Sequence, residues 1–211
     1  MKICIVGFGS IGKRHCENFL EHGHTVAIVS RRDLNVDKVD KIYPRISKML
    51  ENFSADVVFI CSETSKHLED HKELLENNFK GKILIEKPLY TNLKNAPKKR
   101  LSNTYVSYNL RFSPLVKKLK EVLKDEKVLN ASFYAGQYLP NWRPDRDYRE
   151  TYSAKKELGG GVLLDLSHEL DLAQYLFGPI LKFASLSQKA SHLEIDSDDQ
   201  FGLLGKTKSL T

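Results

Sequence analysis

What this chain has little of narrows its chemistry. It carries three cysteines in 211 residues, Cys4, Cys16 and Cys61. An odd number at no metal-ligand spacing argues against a disulfide framework or a zinc site, and two of the three lie in apolar strand-like runs, where they read as reduced packing residues. No apolar run approaches the ~18 residues that suggest a membrane span. The N terminus, Met1-Lys2-Ile3-Cys4-Ile5-Val6, enters a strand pattern at once, without the segments of a secretory signal. A cytoplasmic location away from membranes is therefore expected. His67 and His71 have the i, i+4 spacing of a helical metal pair but no third ligand, so no metal is expected; His67 reads as cofactor-side and His71 as exposed.

Low-complexity tracts and internal repeats are also lacking. The net charge of +6 raises nucleic acid as a partner. The lysines are scattered over helix faces, as in Lys117-Lys118-Leu119-Lys120, and no aromatic RNA-binding motif accompanies them. They read as solvated surface, and no nucleic acid is expected.

The length suits one large α/β domain or a domain and a half. Strand patterns at 2–6, 25–30, 56–61, 82–85 and 104–108 alternate with helix patterns at 10–22, 46–53 and 65–79. That order builds a parallel sheet covered on both faces. Beyond Ser113-Pro114 come a helix pattern to about residue 124, a strand pattern at 128–138, a Pro-, Arg- and Tyr-rich excursion at 139–158, a helix at 161–177, and strand patterns at 181–190 and 200–206. The expected fold is α/β: residues 1–108 a doubly wound Rossmann-type parallel sheet, and 109–211 an incomplete α+β substrate domain with an open, mainly antiparallel sheet.

Three segments carry chemistry. Gly7-Phe8-Gly9-Ser10-Ile11-Gly12 follows the first strand and opens the first helix, the context that makes this string a dinucleotide-binding loop. The helix N terminus favours the cofactor's phosphates. Next, the strand Ile83-Leu84-Ile85 ends in Glu86-Lys87-Pro88. A lysine at the carboxyl end of a parallel strand points into the crevice where such sheets bind ligands. Third, Gly159-Gly160-Gly161 precedes Asp165, His168, Glu169 and Asp171. Asp165 and His168, three apart, are expected on one helix face, where a carboxylate orients an imidazole and a substrate hydroxyl reaches both.

Together these residues, with Cys61-Ser62 and His67, resemble the Gfo/Idh/MocA family of sugar and inositol dehydrogenases over essentially the whole chain. The resemblance implies that Lys87 hydrogen-bonds the reacting oxygen, that Glu86 borders the cofactor site, that His168 exchanges the hydroxyl proton, and that Asp165 joins them at the nicotinamide. It also implies a cis Lys87-Pro88 bond. Three departures stand out. Ser62-Glu63 replaces the usual Thr-Pro. The Asp-to-His spacing is three rather than four, which leaves open whether Asp165 or Glu169 supports His168. Family members also continue beyond this length, so a shortened second domain is expected to expose a sheet edge and to self-associate. A catalytically idle dinucleotide-binding or regulatory module is the alternative.

The segment from Tyr138 to Arg149 supplies candidate substrate contacts. Trp142 and Tyr148 can stack on a sugar, and Arg143 and Arg149 can grip a carboxylate or phosphate. A nucleotide sugar or acidic sugar is expected. The second strand ends in Ser30-Arg31-Arg32, where an NAD site usually places an acid. That favours NADP over NAD, unless Asp33 serves the ribose.

Overall fold

The structure, a computed structural model, describes residues 1–98, 101–142 and 144–207. It divides into two units, residues 1–107 and 108–211.

In the first unit, short apolar runs form the strands β1 (Lys2–Val6), β2 (Thr25–Val29), β3 (Ile42–Tyr43), β4 (Val57–Ile60), β5 (Lys82–Ile85) and β6 (Thr104–Val106). They pair in the order β3-β2-β1-β4-β5-β6, every neighbouring pair parallel. The helices α1 (Ser10–Glu21), α2 (Ile46–Asn52) and α3 (Thr64–Glu76) cover both faces. Because strand side chains alternate, one face presents Cys4, Val6, Ala27, Val29, Ile60 and Ile85 to α2 and α3, and the other presents Ile5, Val26 and Ile28 to α1. Burial on both faces explains why these strands read as continuous apolar runs. Order reverses between β1 and β4, and the crevice at their carboxyl ends is where such sheets take ligands.

The two-residue β3 was not legible in the sequence. Its ladder with β2 places Ile42 beside Ile28 and Tyr43 beside Val29, contacts that no local pattern announces.

The second unit contains α4 (Pro114–Val122), the single turn α5 (Leu139–Trp142), α6 (Val162–Asp165), α7 (His168–Phe177), and an antiparallel pair, β7 (Ile180–Gln188) with β8 (Gln200–Thr207). Two expectations are corrected here. Residues 128–138 join neither sheet, although Leu129, Ala131, Phe133 and Ala135 alternate. A strand is made by ladder bonds to a neighbour, and alternation alone does not supply one. The helix expected over 161–177 is two helices, broken at Leu166 and Ser167, where Leu166 leaves helical geometry with φ −105° and ψ 33°. Asp165 and His168 therefore do not share one continuous helix face.

Candidate active site

In the first unit the glycine loop has the build of a phosphate cradle. Gly7 adopts φ +89°, and a Cβ there would lie 2.5 Å from the Ser62 main chain, so only glycine admits this close approach. A Cβ on Gly12 would meet the Gly7 carbonyl oxygen at 2.3 Å, which fixes how tightly α1 packs on the loop. Gly9, by contrast, faces open space, with nothing within 4 Å of its Cβ position. No side chain caps α1 and no acid lies in its first turn, so its N terminus is unoccupied by protein among the described residues and offers N–H groups to an anion. Phe8 packs on the α1 side of the sheet, while Ser10 and Ile11 are exposed. These residues fit a dinucleotide.

At the end of β2, the Ser30 hydroxyl accepts the Arg32 amide at 3.1 Å, and the Arg32 guanidinium donates to the Phe8 carbonyl of the glycine loop. Arg31, Arg32 and Asp33 are all exposed. The Arg32 side chain thus reaches the glycine loop, and β2 itself ends without a carboxylate.

Cys61 is buried, and burial pushes its thiol far above the ordinary range. It is a packing residue at the end of β4. Beside it, the Ser62 hydroxyl donates to Asp70 at 2.5 Å. Burial holds the Asp70 carboxyl above the usual range, with the Ser62 bond pulling the other way. His67, 1% exposed, has both ring nitrogens on main-chain carbonyls: Nδ1 at 3.0 Å from Pro88, and Nε2 at 3.0 Å from Ser62. The Lys87-Pro88 bond is cis.

Glu86 pairs with Nε2 of His15 on α1 at 2.9 Å, which ties the end of β5 to the helix that opens at the glycine loop. His71, expected to be exposed, is buried. Its Nδ1 meets the Tyr90 hydroxyl at 2.5 Å and its Nε2 the Thr104 hydroxyl at 3.2 Å, and burial lowers its pKa. Apolar periodicity could not foresee that partners on two other segments would bury it.

In the second unit, Gly161 has φ +113°, and a Cβ there would lie 2.2 Å from the Asp198 carboxylate. Asp198 fills that space and accepts the Leu163 amide at 3.0 Å, while its carbonyl accepts the Val162 amide at 2.9 Å. The loop between β7 and β8 thereby holds the start of α6. Asp165 is buried at the end of α6, and His168 opens α7 with its ring edge-on to Tyr108, centroids 5.7 Å apart. The Tyr108 hydroxyl donates to Ser167 at 3.4 Å. Asp171 is buried and holds Arg111 by two bonds, Nε donating at 2.8 Å, and this pairing raises the Arg111 pKa. Glu169 has one buried carboxylate oxygen with no hydrogen-bond partner among the described residues.

Asp198, Tyr108 and Arg111 escaped the sequence reading. The run Asp196-Ser197-Asp198-Asp199 between two strand patterns was the one signal pointing to the first of them.

A cleft of about 480 Å³ in this unit is lined by Tyr138, Trp142, Val162, Asp165, Leu193 and Asp198, among others. Trp142 and Asp165 thus both line this cleft. Arg149 is held by Asp147 at 2.7 Å and by Glu194 at 2.8 Å, and the Tyr148 hydroxyl accepts the Glu194 amide at 3.3 Å. Arg143 lies outside the described residues. Among the described residues, no group of three or more His, Cys, Asp or Glu could hold a metal ion, and no helix is long and apolar enough to cross a membrane.

Comparison with known proteins matches both units. A family model described as "Oxidoreductase family, NAD-binding Rossmann fold" covers residues 1–114, and one described as "GFO/IDH/MocA C-terminal domain" covers 116–210. Myo-inositol 2-dehydrogenase of Thermotoga maritima is 28% identical over 196 residues, across 84% of this chain and 55% of its own length. The chain spans about half the length of the curated relatives it matches. Among solved structures, scyllo-inositol dehydrogenase from Lactobacillus casei, with bound NAD(H) and scyllo-inositol, has a TM-score of 0.75 at 19% identity, covering 99% of this chain and 66% of that one. The WlbA dehydrogenase of Bordetella pertussis, in complex with NADH and UDP-GlcNAcA, has a TM-score of 0.74 at 16% identity, covering 99% and 67%. At such identities the structures establish the fold.

Proposed function

We infer, because the chain belongs to the GFO/IDH/MocA family of NAD-binding oxidoreductases, that it moves hydride between a nicotinamide dinucleotide and the hydroxyl- or keto-bearing carbon of a sugar or nucleotide-sugar-like substrate. The observation that carries this reading is the glycine loop. Gly7 and Gly12 close it against Ser62 and α1, and Gly9 leaves it open beside an uncapped helix N terminus.

A bound nicotinamide supplies the two-electron acceptor or donor. The chain supplies the rest. Lys87, at the carboxyl end of β5, donates a hydrogen bond to the reacting oxygen. His168 takes the hydroxyl proton during oxidation and returns it during reduction. Asp165, buried at the end of α6, is the carboxylate placed closest in sequence before that imidazole. Trp142, which lines the cleft together with Asp165, offers a ring face for a sugar, and Tyr148 lies on the same excursion. Ser30, Arg31 and Arg32 favour the 2′-phosphate of NADP, since charge-assisted bonds from guanidinium stabilise a phosphate and no carboxylate ends β2 to repel it.

The experiment is a panel of inositols, free sugars and nucleotide sugars offered with NAD(H) and NADP(H), read as absorbance at the reduced nicotinamide band. Turnover with a polyol or sugar is expected. Cofactor binding without turnover on any of them would instead make the chain a binding module.

Exposed Leu181, Phe183, Leu186 and Leu204 on the β7–β8 pair further support self-association through this sheet.

A further inference from the structure

The stripe of α1 that faces the sheet carries Gly12, Cys16 and Phe19, and His15 lies in it one turn after Gly12. Gly12 packs against the Gly7 carbonyl of the glycine loop. His15 reaches across to the end of β5, its Nε2 2.9 Å from Oε1 of Glu86, with the two side chains 24% and 14% exposed. A carboxylate accepts, so the ring nitrogen donates. One helix face therefore meets the glycine loop at one turn and the residue before Lys87 at the next.

Packing alone does not require an imidazole at this place. The His15 ring stacks on Phe19, centroids 6.0 Å apart, and tilts against Phe59 of β4 at 5.2 Å. A phenylalanine would fill that aromatic neighbourhood equally well, and it could not hydrogen-bond Glu86. The acid in turn has a fixed side. Ile83 and Ile85 of β5 enter the core that packs on α2 and α3, and alternation sends Leu84 and Glu86 to the α1 face. The Glu86 amide extends the ladder by donating to the Ile60 carbonyl at 2.9 Å, and the Glu86 charge acts on the Cys61 thiol at the end of β4. A carboxylate this far buried needs hydrogen-bond donors, so without His15 it would turn toward water and take the strand end with it.

We propose that His15 is a positioning residue: by holding Glu86 it fixes the end of β5, and with it Lys87, against the helix whose N terminus receives the dinucleotide. The brace itself follows from the geometry of α1, β4 and β5. Its effect on turnover rests on the function proposed above.

Two substitutions separate the donor from the ring. His15→Phe keeps the aromatic packing and removes the donor, whereas His15→Gln keeps a donor of similar reach. With a substrate found in the panel above, His15→Phe should lower kcat about tenfold or more with KM and cofactor affinity little changed, as misplaced catalytic groups do. His15→Gln should recover most of the loss. In a Glu86→Ala background, His15→Phe should cost little more, because the partner it acts through is already gone. An unchanged kcat in His15→Phe, or an equal further loss in the Glu86→Ala background, overturns the positioning role. If His15→Phe does not fold, His15→Asn, whose amide falls short of Glu86, replaces it. Amide hydrogen exchange on the chain without substrate reads the brace directly: residues 82–90 should exchange faster in His15→Phe but not in His15→Gln. Unchanged exchange there in His15→Phe overturns the brace. That result is readable in a chain that turns over no substrate, so failure of the proposed function and failure of this inference are told apart.

Discussion

The Asp198 carboxylate accepts the Leu163 amide at 3.0 Å, so a residue 35 positions later in the chain fixes the first turn of the helix that ends in Asp165. Neither residue's neighbours in sequence require this. Two variants probe it. Asp198→Ala removes a helix-terminal acceptor and should destabilise the second unit by about 0.5–2 kcal/mol. Gly161→Ala places a Cβ 2.2 Å from the same carboxylate at φ +113° and should cost at least as much. Denaturant unfolding measures both, and wild-type stability in Gly161→Ala would contradict this geometry.

Lys87→Ala and His168→Ala should each reduce kcat roughly a hundredfold or more, with the affinity for reduced cofactor little changed, because acid–base and orienting groups act mainly in the transition state. Steady-state kinetics combined with fluorescence titration of the cofactor separates the two effects. Undiminished turnover in either variant removes that residue from the mechanism.

Dissociation constants should favour NADP(H) over NAD(H). Arg31→Ala or Arg32→Ala should erode the preference by roughly 1–3 kcal/mol, the range for a hydrogen bond to a charged group. Arg32 also bonds the Phe8 carbonyl, so its variant should weaken NAD(H) binding too, whereas Arg31→Ala should act on NADP(H) alone. Tighter binding of NAD(H) by the unmodified chain defeats the prediction.

Burial lowers the His71 pKa below the ordinary imidazole value of about 6.5. The unfolded chain therefore binds more protons than the folded one between the lowered value and about 6.5. The stability contribution is present above that window and is lost as pH falls through it. Thermal unfolding followed from neutral to mildly acidic pH should show a falling midpoint, and His71→Gln should flatten that slope. An equal slope in the variant assigns the loss to other groups.

Sizing and light scattering should show self-association, driven by the exposed apolar side chains of β7 and β8. Replacing Phe183 and Leu204 with serine should shift the population toward monomer. A monodisperse monomer for the unmodified chain would count against the interface.

Much of the first unit was legible because its signals are local. A continuous apolar run such as the last four residues of Thr25–Val29 reads as a buried strand from its own composition, and Gly7, Gly9 and Gly12 announce a loop by their place between a strand and a helix. Lys87 could be placed for the same reason, at the end of a short strand closed by proline.

The second unit was less legible. Residues 128–138 had the alternation of a strand but lack its ladder, and residues 161–177 had the pattern of one helix but break at Leu166.

By itself, the sequence determined the α/β class and the strand–loop–helix that makes the dinucleotide-binding loop, since each depends on periodicity or on a few adjacent residues, and it supplied the residues proposed for proton transfer. Only the tertiary structure decided that His67 faces three carbonyls, that Glu86 takes His15 as its partner, that Asp198 anchors α6, and that Asp171 holds Arg111. The physical reason is that a hydrogen bond or ion pair is fixed by distance in space, and most of these partners lie tens of residues apart along the chain.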